Sequence, residues 1–312
     1  MQPIYDRTGR IKPGDVLLLT LSRDENIRIP HFLQYYRDLG VDHFFFIDNL
    51  SIDPVADILA SQEDCSLWRT DEPFEDSHWS TDWLNAILPR FAIGHWVLNV
   101  DIDEYFVFPF METRTFRELL AHLDDLKSPS LFSLLIDMYP DGPVEDAVLK
   151  KGQHPLEVAP LFDASGYYAE AGHKEGGGVW VRGGPRLRVI NRGILDGAPA
   201  MNKIPLVKWE RNYVSSLGTH LMLPKFLNNG HHRHHHSPTG ALLHFKFLSF
   251  FREKVRFAVE SGNHYEESRE YKNYQAQLDS DPELNFVGPV SGKYIDSNSL
   301  MRSNLMTAGT WT

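Results

Sequence analysis

Three carboxylates, Asp101, Asp103 and Glu104, interrupt two apolar, strand-forming runs in HWVLNVDIDEYFVFP. On an extended chain an Asp-x-Asp spacing points both aspartates to the same side, roughly 7 Å apart. At an effective dielectric near 20, two such charges repel by about 2–3 kcal/mol. Burial adds a desolvation cost unless something positive lies between them. A hard divalent cation removes both penalties. Carboxylate oxygens suit Mg2+ or Mn2+, and such an ion is usually shared with substrate phosphates, where it holds a diphosphate leaving group. Asp101 and Asp103 are therefore candidate metal ligands; a solvated strand end is the plainer reading of the bare pattern. Glu104 points to the opposite face and suits a salt bridge or hydrogen bond.

A third metal ligand has to come from elsewhere in the chain. His244 in LLHFKF is the candidate, flanked by apolar residues, with Lys246 two positions on as a cation for the diphosphate. A satisfied core histidine is the commoner role for an isolated His. Arg23 lies where the first strand should end and is placed to face a phosphate; for Arg28 a solvated surface position is the plainer reading. Asp48 closes an apolar run and suits either a hydrogen bond to a base or ribose, or a turn-forming Asp-Asn pair. The tract His231–His236 sits among Gly, Asn, Ser and Pro, an exposed loop able to bind Zn2+ or Ni2+ adventitiously.

The elements that must position these groups alternate. Val16 to Leu21 is a strand-length apolar run, and Phe32, Tyr35, Tyr36 and Leu39 recur at helical spacing after Pro30 and before Gly40. A second strand, VDHFFFIDN, ends at Asp48; a helix starting at Asp53-Pro54, a strand CSLWRT and a helix ending near Pro89 lead to a fourth strand, HWVLNVDIDEYFVFP. Strand–helix alternation predicts an α/β doubly wound sheet with helices on both faces, ligands binding beyond the carboxyl ends of its strands. The polar strand ends Ser22–Asn26, Asp48–Asn49 and Asp101–Glu104 should meet in one crevice. The second half is less regular: a helix over 115–126, a strand PSLFSLLIDMYP, a glycine-rich HKEGGGVWVRGGPRLRV that suits either a mobile anion-facing segment or β-hairpin turns, then ALLHFKF, two helices and an irregular tail.

Bulk properties narrow the class. With 312 residues the chain can bury a large core. Its formal net charge of −11 argues against a nonspecific nucleic-acid binder. A single cysteine, Cys65, precludes an intrachain disulfide and fits a reducing compartment. No apolar run reaches the ~18–20 residues of a membrane span, and a cytoplasmic location is expected. A lipid-linked acceptor would add peripheral contact with the inner membrane, although no basic amphipathic helix supports it.

RDENIRIPHFLQYYRDLGVDHFFFIDNLSID and WLNAILPRFAIGHWVLNVDIDEYFV together resemble bacterial family 2-like glycosyltransferases, as do KIPLVKW and ALLHFKFLSFF in later segments. The resemblance covers residues 15–110 and, in patches, 180–275. It implies a GT-A-type mixed sheet, with residues 1–110 as the nucleotide-sugar-binding half and 111–312 as the acceptor-binding half of one continuous domain. It further implies a hexosyl transfer, with inversion, from a nucleoside-diphosphate sugar (UDP-sugar favoured) to a saccharide or lipid-linked acceptor, with Mn2+ or Mg2+. Asp101 matches the ribose and metal contact, Asp103 the metal contact, Asp48 the nucleobase contact, and His244 the late histidine of the metal or diphosphate site. Arg23 and Glu25 fall in the first donor loop, where Arg-Asp-Glu-Asn replaces the commoner Lys-Asn-Glu, and Asn85 on the helix that approaches the donor. An inverting transferase needs a carboxylate base near the acceptor hydroxyl. Asp163, Glu170 and Glu175 are the candidates, and Glu170 is favoured because YYAEAGH sets it among rings that stack on sugars.

Two other classes compete. A nucleotidyltransferase would carry a glycine-rich loop directly after the first strand, where this chain has Ser-Arg-Asp-Glu-Asn; a phosphohydrolase would place a nucleophilic Asp at that strand's end, where it has Thr-Leu-Ser-Arg. A catalytically silent carbohydrate-binding protein of the same fold would have no use for the repulsion between Asp101 and Asp103.

Overall fold

The apolar run after Asp15 forms the strand expected of it. The computed structural model describes residues 1–52, 55–173, 177–229, 236–261 and 265–311. A short edge strand β1 (Gln2–Tyr5) precedes β2 (Leu17–Ser22), and the alternation continues through α1 (Ile29–Leu39), β3 (His43–Asn49), α2 (Val55–Leu59), β4 (Cys65–Thr70), α3 (Thr81–Phe91) and β5 (Trp96–Asn99). The Asp53-Pro54 start signal lies outside the described residues. In α1 the buried side chains are Ile29, Phe32, Leu33 and Tyr36, one face at helical spacing, and Gly40 ends the helix in the left-handed conformation.

The remaining strands and α-helices among the described residues are β6 (Glu104–Val107), α4 (Phe116–Asp125), β7 (Ser130–Asp137), β8 (Leu161–Asp163), β9 (Tyr168–His173), β10 (Gly177–Arg182), β11 (Asn202–Lys208), β12 (Val214–Leu217), β13 (Leu221–Leu223), β14 (Gly240–His244), α5 (Phe251–Ser261), α6 (Tyr265–Ser280), β15 (Ser291–Lys293) and α7 (Ser297–Arg302). Thr115 and Glu118 close a capping box at the start of α4, the helix expected there. Of the glycine-rich segment, Gly177–Arg182 forms β10, paired antiparallel with β9, and residues 174–176 lie outside the described residues. The tail is not irregular: α7 carries the fully buried Leu300, and Trp311 packs on Phe108.

One nine-stranded sheet, in the order β1-β4-β3-β2-β5-β11-β7-β14-β6, takes strands from both halves of the chain. β4, β3, β2 and β5 are mutually parallel, and β14 is parallel to β7; β1, β11 and β6 run antiparallel to their neighbours. The sheet is thus mixed. Every residue of β3 and β7 is buried, as strands covered on both faces must be. From β2 the chain winds outward through β3 and β4, then α3 returns it to β5 on the opposite side of β2. In doubly wound sheets ligands bind beyond the carboxyl ends of the strands at such a reversal, here those of β2 and β5.

HWVLNVDIDEYFVFP departs from the single strand expected. Its charged centre makes a turn, closed by the Glu104 N–H donating to the Asp101 carbonyl at 3.0 Å, and the second half becomes β6 at the far edge of the sheet. A doubly covered strand cannot hold three adjacent acids without desolvating them; the turn brings Asp101 to solvent, while Asp103 and Glu104 stay largely buried and are met by His244 and Lys203.

Candidate functional site

Strand register brings the site together. β14 lies between β7 and β6, and its last residue, His244, stands opposite Asp137 on one side and Glu104 on the other. His244 Nδ1 bonds Asp137 Oδ1 at 2.7 Å, and Nε2 faces Asp103 Oδ2 at 3.5 Å. The Asp137 carboxylate accepts the Nδ1–H and leaves Nε2 aimed at Asp103. Burial opposes protonation of His244, yet the Asp103 and Asp137 charges outweigh it and raise its pKa above the usual imidazole value. Burial equally opposes ionisation of Asp103, but His244, with Arg28 and Lys254 further off, holds its carboxyl well below the carboxylate range.

The other aspartate of the motif has a different partner. Lys203 of β11 donates to Asp101 Oδ2 at 3.0 Å and also to Glu104 Oε1. The Glu104 carboxylate also accepts the Asp101 N–H at 3.1 Å. Glu104 and Lys203 are buried, whereas the Asp101 side chain is 53% exposed and faces solvent. Burial works against the Lys203 charge, but the two carboxylates raise its pKa above the normal lysine value. Burial pushes Glu104 up to about 7, with the ammonium pulling the other way. Two acids sharing one ammonium leave an uncompensated negative charge, and burial makes that charge costlier on Glu104 than on the exposed Asp101.

The loop after β2 closes one wall. Arg28, expected at the surface, is instead 1% exposed: it pairs with Glu25 at 2.8 Å, donates to the Phe245 carbonyl at 2.8 Å and lies over the Phe250 ring. Glu25 is held by Arg28 and by Lys254 of α5, so its carboxylate is occupied by protein partners. Arg23 stacks on Phe257 of α5. Asp48 is buried, accepts the Ser51 N–H at 3.1 Å and lies 3.5 Å from Arg69, which is the turn-forming role. Asn85 ties α3 to β12 through two 2.9 Å bonds with the Ser215 backbone and is a tether by geometry.

Lys246 reaches Glu270 Oε1 of α6 at 3.4 Å, and Arg186 reaches the same oxygen at 3.3 Å while its Nε donates to Asp137 Oδ2 at 2.7 Å. Burial disfavours the Glu270 charge, but Lys246 and Arg186 pull its pKa down to about 2. Of the proposed bases, Asp163 is buried under a bidentate Arg188 and the Tyr139 hydroxyl, Glu170 is exposed and paired with Arg182 at 3.0 Å in the β9–β10 hairpin, and Glu175 lies outside the described residues. His231 to His235 also lie outside them.

The structure therefore joins Asp103, His244 and Lys246 into one network through Asp137, Arg186 and Glu270, gives Asp101 to Lys203, and leaves Asn85 and Glu170 in other pairings. Sequence reasoning missed Lys203, Asp137, Arg186 and Glu270. Asp137 had a readable signal: SLLIDMYP is an acid ending an apolar run, as at Asp48 and Asp101. Lys203 had a weaker one, a cation near the start of the apolar run of the strand NKIPLVK.

Among the described residues no group of three or more His, Cys, Asp and Glu side chains is arranged to hold a metal ion. Asp103 and His244 nevertheless fit as two ligands of one. A carboxylate with an imidazole favours Mn2+ over Mg2+, and ions of this kind complete their shell with water and substrate phosphates. Asp101 is committed to Lys203 and stands apart from that pair. No described helix is long and apolar enough to cross a membrane.

No family model matches the chain, and no curated protein matches it. Among solved structures it is similar to HddC from Yersinia pseudotuberculosis (12% identity, 45% of this chain and 70% of that one, TM-score 0.26). A 4-diphosphocytidyl-2C-methyl-D-erythritol synthase from Anaerococcus prevotii is similar at 14% identity (47% and 68%, TM-score 0.26). A protein assigned as a glucose-1-phosphate thymidylyltransferase from Bacillus anthracis, in complex with a sucrose, covers 93% of both chains at 10% identity and TM-score 0.29. Scores this low do not establish a common fold, and the functional reading rests on the geometry of the site.

Proposed function

We propose that the chain transfers a sugar from a nucleoside-diphosphate donor, UDP-linked by preference, to a hydroxyl of a saccharide or lipid-linked acceptor, with inversion. The observation that supports this best is the Asp103–His244 pair, set where the turn after β5 meets the end of β14, the Phe245 N–H donating to the Asp103 carbonyl at 2.9 Å. In this reading Asp103 and His244 hold a divalent ion, which when bound neutralises charge on the departing diphosphate. Asp137 fixes the imidazole so that Nε2 is the ligand atom. Asp101, exposed at the mouth, meets the ribose, and Lys203 keeps its carboxylate oriented and ionised. Arg23 and the Glu25–Arg28 pair shape the donor loop. We place its action in the cytoplasm, in keeping with the single cysteine of the chain.

Calorimetry with Mn2+ and UDP tests the proposal. Expected is UDP binding that depends on Mn2+ and is lost in Asp103→Ala; binding indifferent to both would sink it. A screen following nucleoside-diphosphate release across nucleotide-sugars then names the donor. Release of pyrophosphate from a nucleoside triphosphate would instead indicate nucleotidyl transfer, against which the absence of a glycine between Ser22 and Arg28 speaks.

A further inference from the structure

Arg186, Lys246 and the Tyr274 hydroxyl all point at one oxygen, Oε1 of Glu270. Two cations and a phenol on a single carboxylate oxygen are more donors than a glutamate needs, and they suit a group with several oxygens. The donors are fixed while the acceptor is not. Arg186 is buried, its Nε held by Asp137, and Lys246 lies over the rings of Tyr271 at 4.8 Å and Tyr274 at 5.0 Å. The Glu270 side chain is one-third exposed and can turn to water by rotation about its own bonds. If it leaves, Lys246 is left without its carboxylate in a partly desolvated setting, an unfavourable state unless another anion arrives. The cluster adjoins the metal-ligand pair directly, because Asp137 carries Arg186 on one oxygen and His244 on the other.

We propose that Arg186, Lys246 and Tyr274 form a subsite for a phosphate oxyanion, and that Glu270 occupies it as an internal stand-in until ligand displaces it. A planar guanidinium with an ammonium matches the many acceptors of a phosphate better than one carboxylate oxygen. The identity of that phosphate as part of the donor diphosphate rests on the function proposed above; the subsite itself does not. Glu270 then lowers the affinity for the phosphate and keeps the two cations in place until it arrives. A fixed clamp that merely orients Lys246 predicts the opposite effect of its removal.

The test is calorimetry with inorganic pyrophosphate and no metal. Glu270→Gln is expected to bind pyrophosphate about tenfold more tightly than the native chain, or about 1.4 kcal/mol. Adding Lys246→Met should abolish the gain. Should Glu270→Gln fail to fold, Glu270→Asp, one methylene too short to reach both cations, should give a smaller gain of the same sign. Unchanged or weaker binding in the folded variant, or a gain that survives Lys246→Met, overturns the proposal. A native protein that binds UDP with Mn2+ through Asp103, alongside a Glu270→Gln variant with no gain, keeps the donor site and discards the stand-in. A gain on pyrophosphate without UDP binding keeps the subsite and discards the nucleotide-sugar donor.

Discussion

Lys203 and His244 flank β7 and perform the same electrostatic task, each bridging two carboxylates, but with groups of different chemistry. Lys203 joins Asp101 to Glu104; His244 joins Asp103 to Asp137. An ammonium has three donors, no lone pair, and a charge that its neighbours reinforce. It can neutralise the turn and do little else. An imidazole can give up its proton, and the vacated lone pair then faces Asp103, the pairing a metal ion would use. The two aspartates of one motif are thus separated into a structural clamp and a site able to exchange a proton for a cation.

The largest expected effect breaks the clamp. Lys203→Met leaves the buried Glu104, and the half-exposed Asp101 beside it, without their cation, and the loss at Glu104 should cost about 3–5 kcal/mol in denaturant unfolding at neutral pH. Asp103→Asn keeps the shape and should cost less than about 1.5 kcal/mol. The reverse order of those losses would mean that the structural and functional labels have been exchanged. Next in size is Asp137→Asn. Losing the carboxylate that orients Nδ1–H should weaken Mn2+ binding about 10–100-fold, by titration calorimetry on variants whose circular dichroism is native. Native Mn2+ affinity in that variant would show that His244 is not the ligand that Asp137 prepares.

The sequence disclosed one of these bridges better than the other, for a physical reason. Strand–helix alternation from Val16 to Asn99 is local, and so was readable, as was the Asp-x-Asp at its end. His244 was findable because an apolar run isolates it. What joins these residues is register between β7, β14 and β6, strands with more than a hundred residues between the earliest and the last, and no periodicity encodes that pairing. Arg28 was misjudged because its burial depends on Phe245 and Phe250, far along the chain. The turn at Asp101–Asp103 was read as strand because its flanks are strands; the cost of desolvating the acids was visible, but only Asp101 escapes it into solvent, and Asp103 and Glu104 meet it with His244 and Lys203.

A pH titration separates the bridges more gently. In chelator-treated protein Glu104 is raised from 4.5 to about 7, so the folded state holds the proton more firmly. Its contribution to stability is full below about pH 4.5 and is lost as pH rises towards 7. His244, raised from 6.5, contributes fully below that value and loses its contribution as pH climbs through the raised one. Asp103 and Asp137 are depressed; their contributions hold above 3.8 and disappear as pH falls through the lowered values. Unfolding free energy should therefore decline from about pH 5 upward, and Glu104→Gln should remove the lower part of the decline. Mn2+ affinity should rise over the same range, since His244 must lose its proton to bind. A variant with the native slope would show that Glu104 does not titrate there.

The smallest expected effect is at Glu170, where the sequence and the structure point different ways. Its side chain is 55% exposed and its partner Arg182 is itself partly exposed, a surface ion pair that contributes about 0–1 kcal/mol. Glu170→Gln should leave both unfolding and the Mn2+-dependent affinity for UDP within about twofold of native, a difference of roughly 0.4 kcal/mol. Turnover is the sharper readout, because a general base contributes about 10²–10⁴-fold to rate without contributing to donor affinity. With a nucleotide-sugar and acceptor in hand, kcat should also stay within about twofold if the pair with Arg182 is the residue's whole role. A loss of about a hundredfold in kcat at unchanged UDP affinity would return Glu170 to the chemistry and place the β9–β10 hairpin over the acceptor.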